Sequence, residues 1–409
     1  MSNYSITSLY PFRRVKVDDF YERKDPKLGE VQRVVLTPDK RYTPLCHECG
    51  TKAETVHSNE TRRLRDTKIA GKDSEIVYHY RKIKCPECEA IKVEKSDVTN
   101  SGGVEITNRL ARTLHDLCGY MTVKEVAEYY NLNWGTVKKA HERQLKKEFG
   151  DDDLNHSGYL AVDELTFGKY HKYLTVVIDF KTGRVLWVGK DRKTDTIRDF
   201  FLSMSEKQRK QVRAVAMDMW KPYIKAVKEY CPDADIVFDK YHIIASYHRE
   251  VIDEIRRSEL RKMSKDHPDY EIYKGMRYSL FKNPEKLKEN EKEQLEKLLD
   301  INENISLAYI LKDELKMVFR QDNSVDMLKY LTCLIGKMRA SGLKPLKSFS
   351  RKLTKHWPGL ITYAKHRIHT SLLEGINNKI KEIKRSAFGS RDFNYFKLKI
   401  KFAFPGNKS

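Results

Sequence analysis

The spacing of apolar residues along the chain changes several times, and each change predicts a different kind of structure. Residues 105–147 carry apolar side chains three and four positions apart, the spacing of helices that bury one face. The positions that form two such stripes are Val123, Val126, Ala127, Tyr130, Val137 and Ala140. Between the stripes lies a turn in which Asn131 can adopt a left-handed conformation. This pattern predicts a helix-turn-helix, although any three-helix bundle would also show it.

From Tyr159 onward the spacing becomes that of strands. Short apolar runs predict five strands, with an amphipathic helix over 195–204 and another helix that Pro222 opens. The predicted strands cover residues 159–163, 173–179, 184–188, 212–217 and 236–238. The element order is therefore βββαβαβ, a three-strand meander followed by helical crossovers that imply parallel pairing.

The chain between about 245 and 357 has a third pattern, with long charge-rich helices and apolar stripes such as the one through Leu311 and Leu315. Helical spacing returns at Ser371–Arg385. We interpret the middle segment as an all-helical insertion, because it separates the strands from this later helix.

The charge balance adds a partner to this picture. Lys and Arg outnumber Asp and Glu by 79 to 58, which gives a formal net charge of +21. Such a surface attracts polyanions and releases their counterions on binding, so nucleic acid is the first partner to consider. Ribosome-associated and membrane-surface proteins share this bias. Because the chain has neither a long apolar run nor an N-terminal signal core, we expect a cytoplasmic protein with no membrane contact.

The predicted helix after the turn, from Trp134 to about Leu145, presents polar and basic side chains. In a helix-turn-helix this second helix enters the major groove of DNA. The candidate contacts to bases and phosphates are Thr136, Lys138, Lys139 and Arg143.

Four of the seven cysteines stand in two C-x-x-C pairs, Cys46 with Cys49 and Cys85 with Cys88. Each pair fits a short turn, so four thiolates can converge on one Zn²⁺ while the intervening strands close the loop. The spacing predicts a zinc ribbon with a structural Zn²⁺. The alternative is four unrelated buried cysteines, and His47 and His57 are candidate substitute ligands.

Two carboxylates stand at predicted strand ends. Asp163 closes the first strand of the βββαβαβ segment, and Asp218 follows the fourth. If these strands are neighbours, both side chains come within reach of one metal ion, and hard oxygen ligands suit Mg²⁺.

Glu374 is the third candidate ligand. In the predicted helix over 371–385, an apolar stripe lies beside a polar face, as expected for a helix on a core. The residues of the polar face are Glu374, Asn378, Lys381 and Arg385. The glutamate could complete a metal site while the amide and the two cations hold DNA phosphates. The alternative is a solvated charged face.

Four segments, taken together and in order, carry a resemblance to a known family. They are Val162–Leu165 (VDEL), Ala216–Tyr223 (AMDMWKPY), Phe238–His242 (FDKYH) and Leu372–Arg385 (LLEGINNKIKEIKR). These segments resemble the catalytic blocks of DDE insertion-sequence transposases, and the group most similar is the ISL-three family. The likeness extends over nearly the whole chain from Cys46 onward.

The resemblance implies roles for particular residues. Asp163, Asp218 and Glu374 correspond to the DDE triad, which would hold two Mg²⁺ ions, with Mn²⁺ as an alternative ion. Asp239 and His242 match a D-x-x-H element that lies near the active site in related transposases. Asp239 could instead cap a helix, and His242 could be a packed helix residue.

The resemblance also implies a fold class. We expect a multidomain α/β protein with a ribonuclease-H-like mixed-sheet catalytic core, interrupted by an all-helical insertion and preceded by a zinc ribbon and a helix-turn-helix. The predicted units are an N-terminal lead-in (1–40), the zinc ribbon (41–98), the helix-turn-helix (104–150), the first part of the core (155–245), the insertion (246–357) and the second part of the core (358–402).

The function implied is binding of element ends and Mg²⁺-dependent strand cleavage and transfer, by in-line attack of water or a 3′-hydroxyl. The expected partners are double-stranded DNA, as terminal inverted repeats and as target, and a second copy of the chain when assembled on DNA. We expect the protein at the bacterial nucleoid. The rivals are a non-catalytic DNA-binding regulator and a nuclease on the same fold.

Overall fold

The computed structural model describes residues 8–100, 103–166, 173–368, 371–386 and 392–406. The protein is mixed α/β, and the described part contains two five-stranded sheets and many helices. The chain divides into two compact units, one of residues 1–151 with 383–403 and one of residues 152–382 with 404–409. Within the described residues, no helix is both long and apolar enough to cross a membrane.

The first unit contains a sheet with the strand order β1-β2-β4-β3, and β5 pairs with β4. The strands are β1 (Val15–Asp25), β2 (Gly29–Pro38), β3 (Val56–Ile69), β4 (Lys72–Cys85) and β5 (Ala90–Val93). Alternation along β4 buries Ile76, Tyr78 and Tyr80 in the core of this sheet. The predicted lead-in therefore supplies two full strands, and β2 lies in the middle of the sheet.

Three helices follow, α1 (Asn108–Leu117), α2 (Val123–Tyr129) and α3 (Trp134–Phe149). Their shared core contains the two predicted stripes. Thr122 and Glu125 form a capping box that starts α2. Asn131 has a φ of 51°, the left-handed conformation expected for the turn between α2 and α3.

The turn between α2 and α3 is fixed to the sheet of the same unit. Arg65 donates to the Asp73 carboxylate at 2.8 Å and to the Tyr130 carbonyl at 3.0 Å. Asn131 donates its amide to the other Asp73 oxygen at 3.0 Å. These charge-assisted contacts hold α3 in one orientation relative to β3 and β4.

The second unit contains a sheet with the order β10-β9-β6-β7-β8. Its strands are β6 (Tyr159–Thr166), β7 (Tyr173–Asp179), β8 (Val185–Lys190), β9 (Ala214–Met217) and β10 (Asp235–Phe238). β6, β7 and β8 form an antiparallel meander, whereas β6 pairs parallel with β9 and β9 pairs parallel with β10. The first and fourth strands, β6 and β9, are therefore adjacent, which meets the condition for a metal site shared by Asp163 and Asp218.

Helices cross between the parallel strands as predicted. These helices are α4 (Thr194–Ser203), α5 (Glu206–Lys210) and α6 (Lys221–Tyr230). Ile197, Phe200 and Phe201 of α4 are fully buried, which is why the apolar stripe of this helix was visible in the sequence.

The following segment is helical throughout. Its elements are α7 (Lys240–Tyr247), a π-helical turn (His248–Ile252), α8 (Asp253–Arg261), α9 (Tyr270–Gly275), a 3₁₀ turn (Pro284–Lys286), α10 (Glu289–Ile301), α11 (Glu303–Val318), α12 (Ser324–Ala340) and α13 (Lys344–His366). The expected all-helical character is confirmed. The predicted end of the insertion at 357 falls inside α13, which continues through Pro358. Gly359 allows the close approach of this helix to β10, because a Cβ there would lie 2.4 Å from the Phe238 ring.

Two helices complete the described chain, α14 (Ser371–Ser386) and α15 (Phe393–Ala403). In the first unit, Tyr395 and Leu398 of α15 pack with Leu145 of α3. Tyr395 also shares a hydrogen bond of 3.0 Å with the buried His141 ring.

Candidate metal centres and nucleic-acid interface

The four paired cysteines converge in the first unit. Their sulfur atoms all lie within 4.8 Å of one another, with Cys46 3.9 Å from Cys88 and Cys49 3.4 Å from Cys85. Tight turns allow this arrangement, since Gly50 and Glu89 have φ angles of 77° and 48°. Zn–S bonds of about 2.3 Å in a tetrahedron place sulfurs roughly 3.8 Å apart, so the four residues fit Zn²⁺.

The electrostatics of the cluster favour a cation. Hydrogen bonds from the Thr51 hydroxyl and then its backbone N–H lower the pKa of the Cys49 thiol to about 6. Hydrogen bonding with Cys49, followed by burial, raises the pKa of Cys88 to about 12. One thiol therefore ionises easily while its neighbour resists, because adjacent negative charges repel; a bound cation removes that repulsion. His47 lies outside the cluster, with its Nδ1 atom 3.1 Å from the Val93 carbonyl oxygen, and His57 is also not part of it.

In the second unit, Asp163 and Asp218 lie on adjacent strands. The prediction that Asp163 closes its strand is wrong, because β6 continues to Thr166 and Asp163 pairs within it with Val176 of β7, whereas Asp218 directly follows β9. β6 and β9 run parallel, and their register pairs Ala161 with Ala216. Asp163 and Asp218 each lie two residues further along from this pair. The two acids therefore occupy matched positions along the two strands.

Helix α14 contacts this edge through Asn377, a residue that the sequence did not mark. Its side-chain amide donates to Asp163 Oδ2 at 2.5 Å, and Asn377 is buried. Glu374 lies one helical turn earlier on α14 and is exposed. Among the described residues, the cysteines form the cluster in which three or more metal-ligating atoms lie within 4.8 Å, and the three acids do not meet that distance.

Two buried oxygen atoms at this edge have no hydrogen-bond partner among the described residues, Asp218 Oδ1 and Asn377 Oδ1. An unpaired buried acceptor is costly unless a donor or a cation faces it. Hard, negatively polarised oxygens at one sheet edge are the ligands that Mg²⁺ prefers, so the donor set fits this ion.

His242 lies between two of the acids. Its Nδ1 atom is 3.8 Å from Asp218 Oδ2, and its Nε2 atom is 3.8 Å from Asp239 Oδ2. The interaction with Asp218, together with the charges of Asp239 and Asp163, raises the pKa of His242 to about 9 against the opposing effect of burial. Asp239 also caps α7 by accepting from the Tyr241 N–H at 2.8 Å. His242 is half-exposed, which differs from a packed helix residue.

Burial and mutual repulsion act on the acids themselves. Burial is the main cause that raises the pKa of Asp163 above its usual range. Burial and then the charge of Asp218 raise the pKa of Glu164 to about 7. Crowded carboxylates resist ionisation in this way unless positive charge is supplied.

An arginine stack adjoins the same acids and was not predicted. The Arg192 guanidinium lies 4.0 Å from the Tyr173 ring centroid and 5.0 Å from that of Trp220. It also forms an ion pair with Glu164 at 3.4 Å, and its carbonyl accepts from the Trp220 indole at 3.2 Å. Hydrophobic periodicity does not identify Arg192. The available signal was that its neighbours Glu164 and Trp220 belong to the segments that carry the family resemblance.

The predicted DNA contacts of α3 differ in how available they are. Lys139 is exposed, and Thr136 is half-buried. Lys138 is ion-paired with Asp392 at 3.0 Å, and Arg143 donates to the Asn100 carbonyl at 2.5 Å. Lys139 and Thr136 also line an open groove of the first unit together with Arg63 of β3. Asn378, Lys381 and Arg385 are exposed along α14.

Two family models give the class of the molecule. Both are transposase models, and they match the region that contains the acids and the region that contains the four cysteines. A profile described as a transposase of the DDE type matches residues 160–400. One described as the zinc-finger of transposase IS204/IS1001/IS1096/IS1165 matches residues 43–88. The chain belongs to the ISL-three family of insertion-sequence transposases.

Two curated relatives align over nearly their full length. The transposase for insertion sequence element IS1001 of Bordetella parapertussis is 34% identical over 387 residues, covering 94% of each chain. The transposase for insertion sequence element IS1557 of Mycobacterium tuberculosis is 26% identical over 404 residues, covering 93% of this chain and 90% of the relative.

Proposed function

We propose that the protein binds the ends of its own mobile element and catalyses Mg²⁺-dependent strand cleavage and strand transfer, with Asp163, Asp218 and Glu374 as the metal-binding acids. One observation carries the proposal: Asp163 and Asp218 occupy matched positions along adjacent parallel strands, Asp163 within β6 and Asp218 directly after β9. The contact of Asn377 with Asp163 supports the third acid, because it brings the Glu374 helix to the same edge.

The residues around the acids prepare them for this role. Asn377 donates to one oxygen of Asp163 and the Glu164 N–H donates to the other, so the two contacts fix the orientation of the carboxylate. His242 supplies positive charge to Asp218 and Asp239, and Arg192 supplies it to Glu164. Bound Mg²⁺, with Mn²⁺ as an alternative, would activate the attacking water or 3′-hydroxyl and neutralise charge on the leaving oxygen.

The remaining parts supply DNA binding. The strand order and helical crossovers of the second unit support a ribonuclease-H-like core, and α2, the Asn131 turn and α3 support a helix-turn-helix. Lys139, Thr136 and Arg143 would contact DNA directly, whereas Lys138 would contribute only after release from Asp392. The net charge of +21 supports a polyanionic partner. We further propose that two copies assemble on the element ends at the bacterial nucleoid.

The test is incubation of the purified protein with Mg²⁺ and labelled duplexes that carry the element end, beside a target plasmid. Joined products that contain both element and plasmid sequence are expected. Hydrolysis without joining would indicate a nuclease on this fold, and tight binding without any cleavage would indicate a regulator.

A further inference from the structure

A single buried aspartate in the helical segment is surrounded by three arginines. Asp253, the first residue of α8, is 1% exposed. Its Oδ1 atom lies 2.7 Å from Arg256 Nη2, and its Oδ2 atom lies 2.7 Å from Arg257 Nη2 and 3.2 Å from Arg277 Nε. One negative charge therefore faces three positive charges.

The three guanidiniums differ in what else they contact. Arg256 is buried and also donates to the Tyr273 carbonyl at 2.8 Å, so its role is to tie α8 to α9. Arg257 and Arg277 remain 50% and 38% exposed. Each has five N–H donors, and the shared carboxylate cannot accept more than a few of them. Donors on both side chains are therefore left to face solvent.

A purely structural role would not need this arrangement. One arginine is enough to compensate the buried carboxylate, and each further guanidinium adds repulsion between like charges. The excess of two positive charges would be balanced by an external anion. Asp253 then acts as the anchor that holds both exposed guanidiniums in fixed positions, which lowers the entropy lost when they bind a ligand.

An exposed aromatic ring extends this surface. Tyr278 is 67% exposed, and the Arg277 guanidinium lies 5.4 Å from its ring centroid. Paired guanidinium forks match phosphate oxygens, and an adjacent tyrosine suits contact with the sugar or a further phosphate. The combination fits a phosphodiester chain better than an isolated small anion.

We propose that Arg257, Arg277 and Tyr278 form a phosphate-binding site through which the helical segment holds double-stranded DNA, independently of its sequence. The proposal rests on the proposed function only in taking DNA as the polyanion. It gives the helical segment a direct part in DNA binding, which neither the DDE acids nor α3 requires.

The test compares two double variants of the full chain that lose the same charge. Arg257→Gln with Arg277→Gln removes the two exposed guanidiniums. Lys274→Gln with Lys292→Gln removes two exposed lysines of the same segment, each paired with a carboxylate of its own, Glu271 or Glu289. Affinity for a fluorescent duplex of unrelated sequence is measured by anisotropy over a range of salt concentrations without Mg²⁺.

The arginine variant should bind roughly tenfold more weakly near 0.1 M salt, and the slope of log affinity against log salt should fall by about two, one for each lost phosphate contact. The lysine variant should change affinity by no more than about twofold. Arg257→Lys should recover part of the affinity, because it restores charge but not the fork. Equal affinities and slopes for the two double variants would overturn the proposal.

Two further measurements keep the result interpretable. If the arginine variant has a lowered melting temperature, Arg257→Gln alone replaces it, since Arg257 is the most exposed of the three arginines, and its slope should fall by about one. Inorganic phosphate is titrated in parallel. We expect phosphate to compete with DNA for the site only at millimolar concentrations. Arginine-dependent phosphate binding with unchanged DNA affinity would instead identify a small-anion site and overturn the proposal. Because no cleavage is measured, this outcome is separate from any failure of the catalytic acids.

Discussion

The cysteine cluster and the acidic sheet edge are both candidate metal centres, and they are built in opposite ways. The four sulfurs come from two turns of one sheet and lie within 4.8 Å of one another. The acids come from two strand positions and a helix distant in the sequence. Asn377 donates to Asp163 and His242 lies beside Asp218, while Arg192 pairs with the neighbouring Glu164. Closed thiolate sites serve folding, whereas spread acids with protein partners leave room for a substrate.

The two candidate metal centres also differ in how their negative charge is compensated. In the cysteine cluster, a cation bound by all four sulfurs relieves the repulsion among the thiolates without protonating any of them. At the sheet edge, a histidine and an arginine already compensate part of the charge. Loss of metal should therefore unfold the first region and leave the second folded but inactive.

The largest effect is expected at the acids. Replacing Asp163, Asp218 or Glu374 singly by Ala should abolish strand cleavage and transfer, by more than about a thousandfold, because each supplies a negative ligand that in-line attack depends on. DNA binding should stay largely intact, since affinity comes from the basic surfaces. A gel assay for joined products and anisotropy for binding separate the two.

Glu374→Gln provides the matched control for shape. It should be nearly as inactive as Glu374→Ala, because the amide keeps the size of the side chain but not the charge that holds Mg²⁺. Efficient Mg²⁺-dependent joining by Glu374→Gln would remove Glu374 from the site while leaving both aspartates in place.

The second effect concerns the cysteines. Cys85→Ser should release zinc and lower the stability of the first unit by several kcal/mol, because metal binding and folding are coupled in such sites. Metal analysis of the purified protein and its thermal unfolding measure this. Cys333→Ser is the control, since that exposed cysteine lies outside the cluster. Stoichiometric zinc retained by Cys85→Ser would contradict the assignment.

Much of this comparison was predictable from the sequence, for identifiable reasons. The convergence of the cysteines was predicted and confirmed, because C-x-x-C spacing encodes a local turn. The shared metal site depended on β6 and β9 being neighbours, which the order of elements permits, and the structure has them paired. The helical segment followed from its 3.6-residue periodicity.

Other features could not be predicted, because they depend on contacts between distant residues. β1 is mostly exposed and polar, so alternation did not distinguish it from an irregular segment. Periodicity placed Glu374 and Asn378 on one polar face, but it could not show that the neighbouring Asn377 reaches Asp163. The Arg192 stack joins side chains from separate elements, and Arg277 reaches Asp253 from outside α8, so no local pattern marks these contacts.

The third effect tests the role of the contact between Asn377 and Asp163, which was not predicted. Asn377→Leu should lower the rate of joining roughly 10- to 100-fold, the usual loss when a group that orients a metal ligand is removed. The matched control is Asn378→Leu, which changes the adjacent exposed amide. It should affect DNA affinity more than rate. Equal rates for the two variants would indicate that Asn377 does not position Asp163.

The smallest effect tests how the fold tolerates a buried amine that forms no ion pair of its own among the described residues. Lys312 of α11 is buried, donates to the Leu280 carbonyl at 3.0 Å and lies 3.6 Å from the Tyr309 ring centroid. Burial, followed by the charge of Lys316, lowers the pKa of Lys312 from 10.5 to about 7. Between these two pH values the unfolded chain binds more protons than the folded chain, so the contribution of Lys312 makes the free energy of unfolding rise with pH.

Lys312→Met should flatten this rise, measured as thermal unfolding of both proteins from pH 7 to 10. Lys316→Met is the control, because that lysine is paired with Asp313, and its removal should leave most of the slope. Identical pH profiles for the Lys312 variant and the unmodified protein would show that the buried amine keeps an ordinary pKa, and that the hydrogen bonds and the ring compensate its charge as well as an acid would.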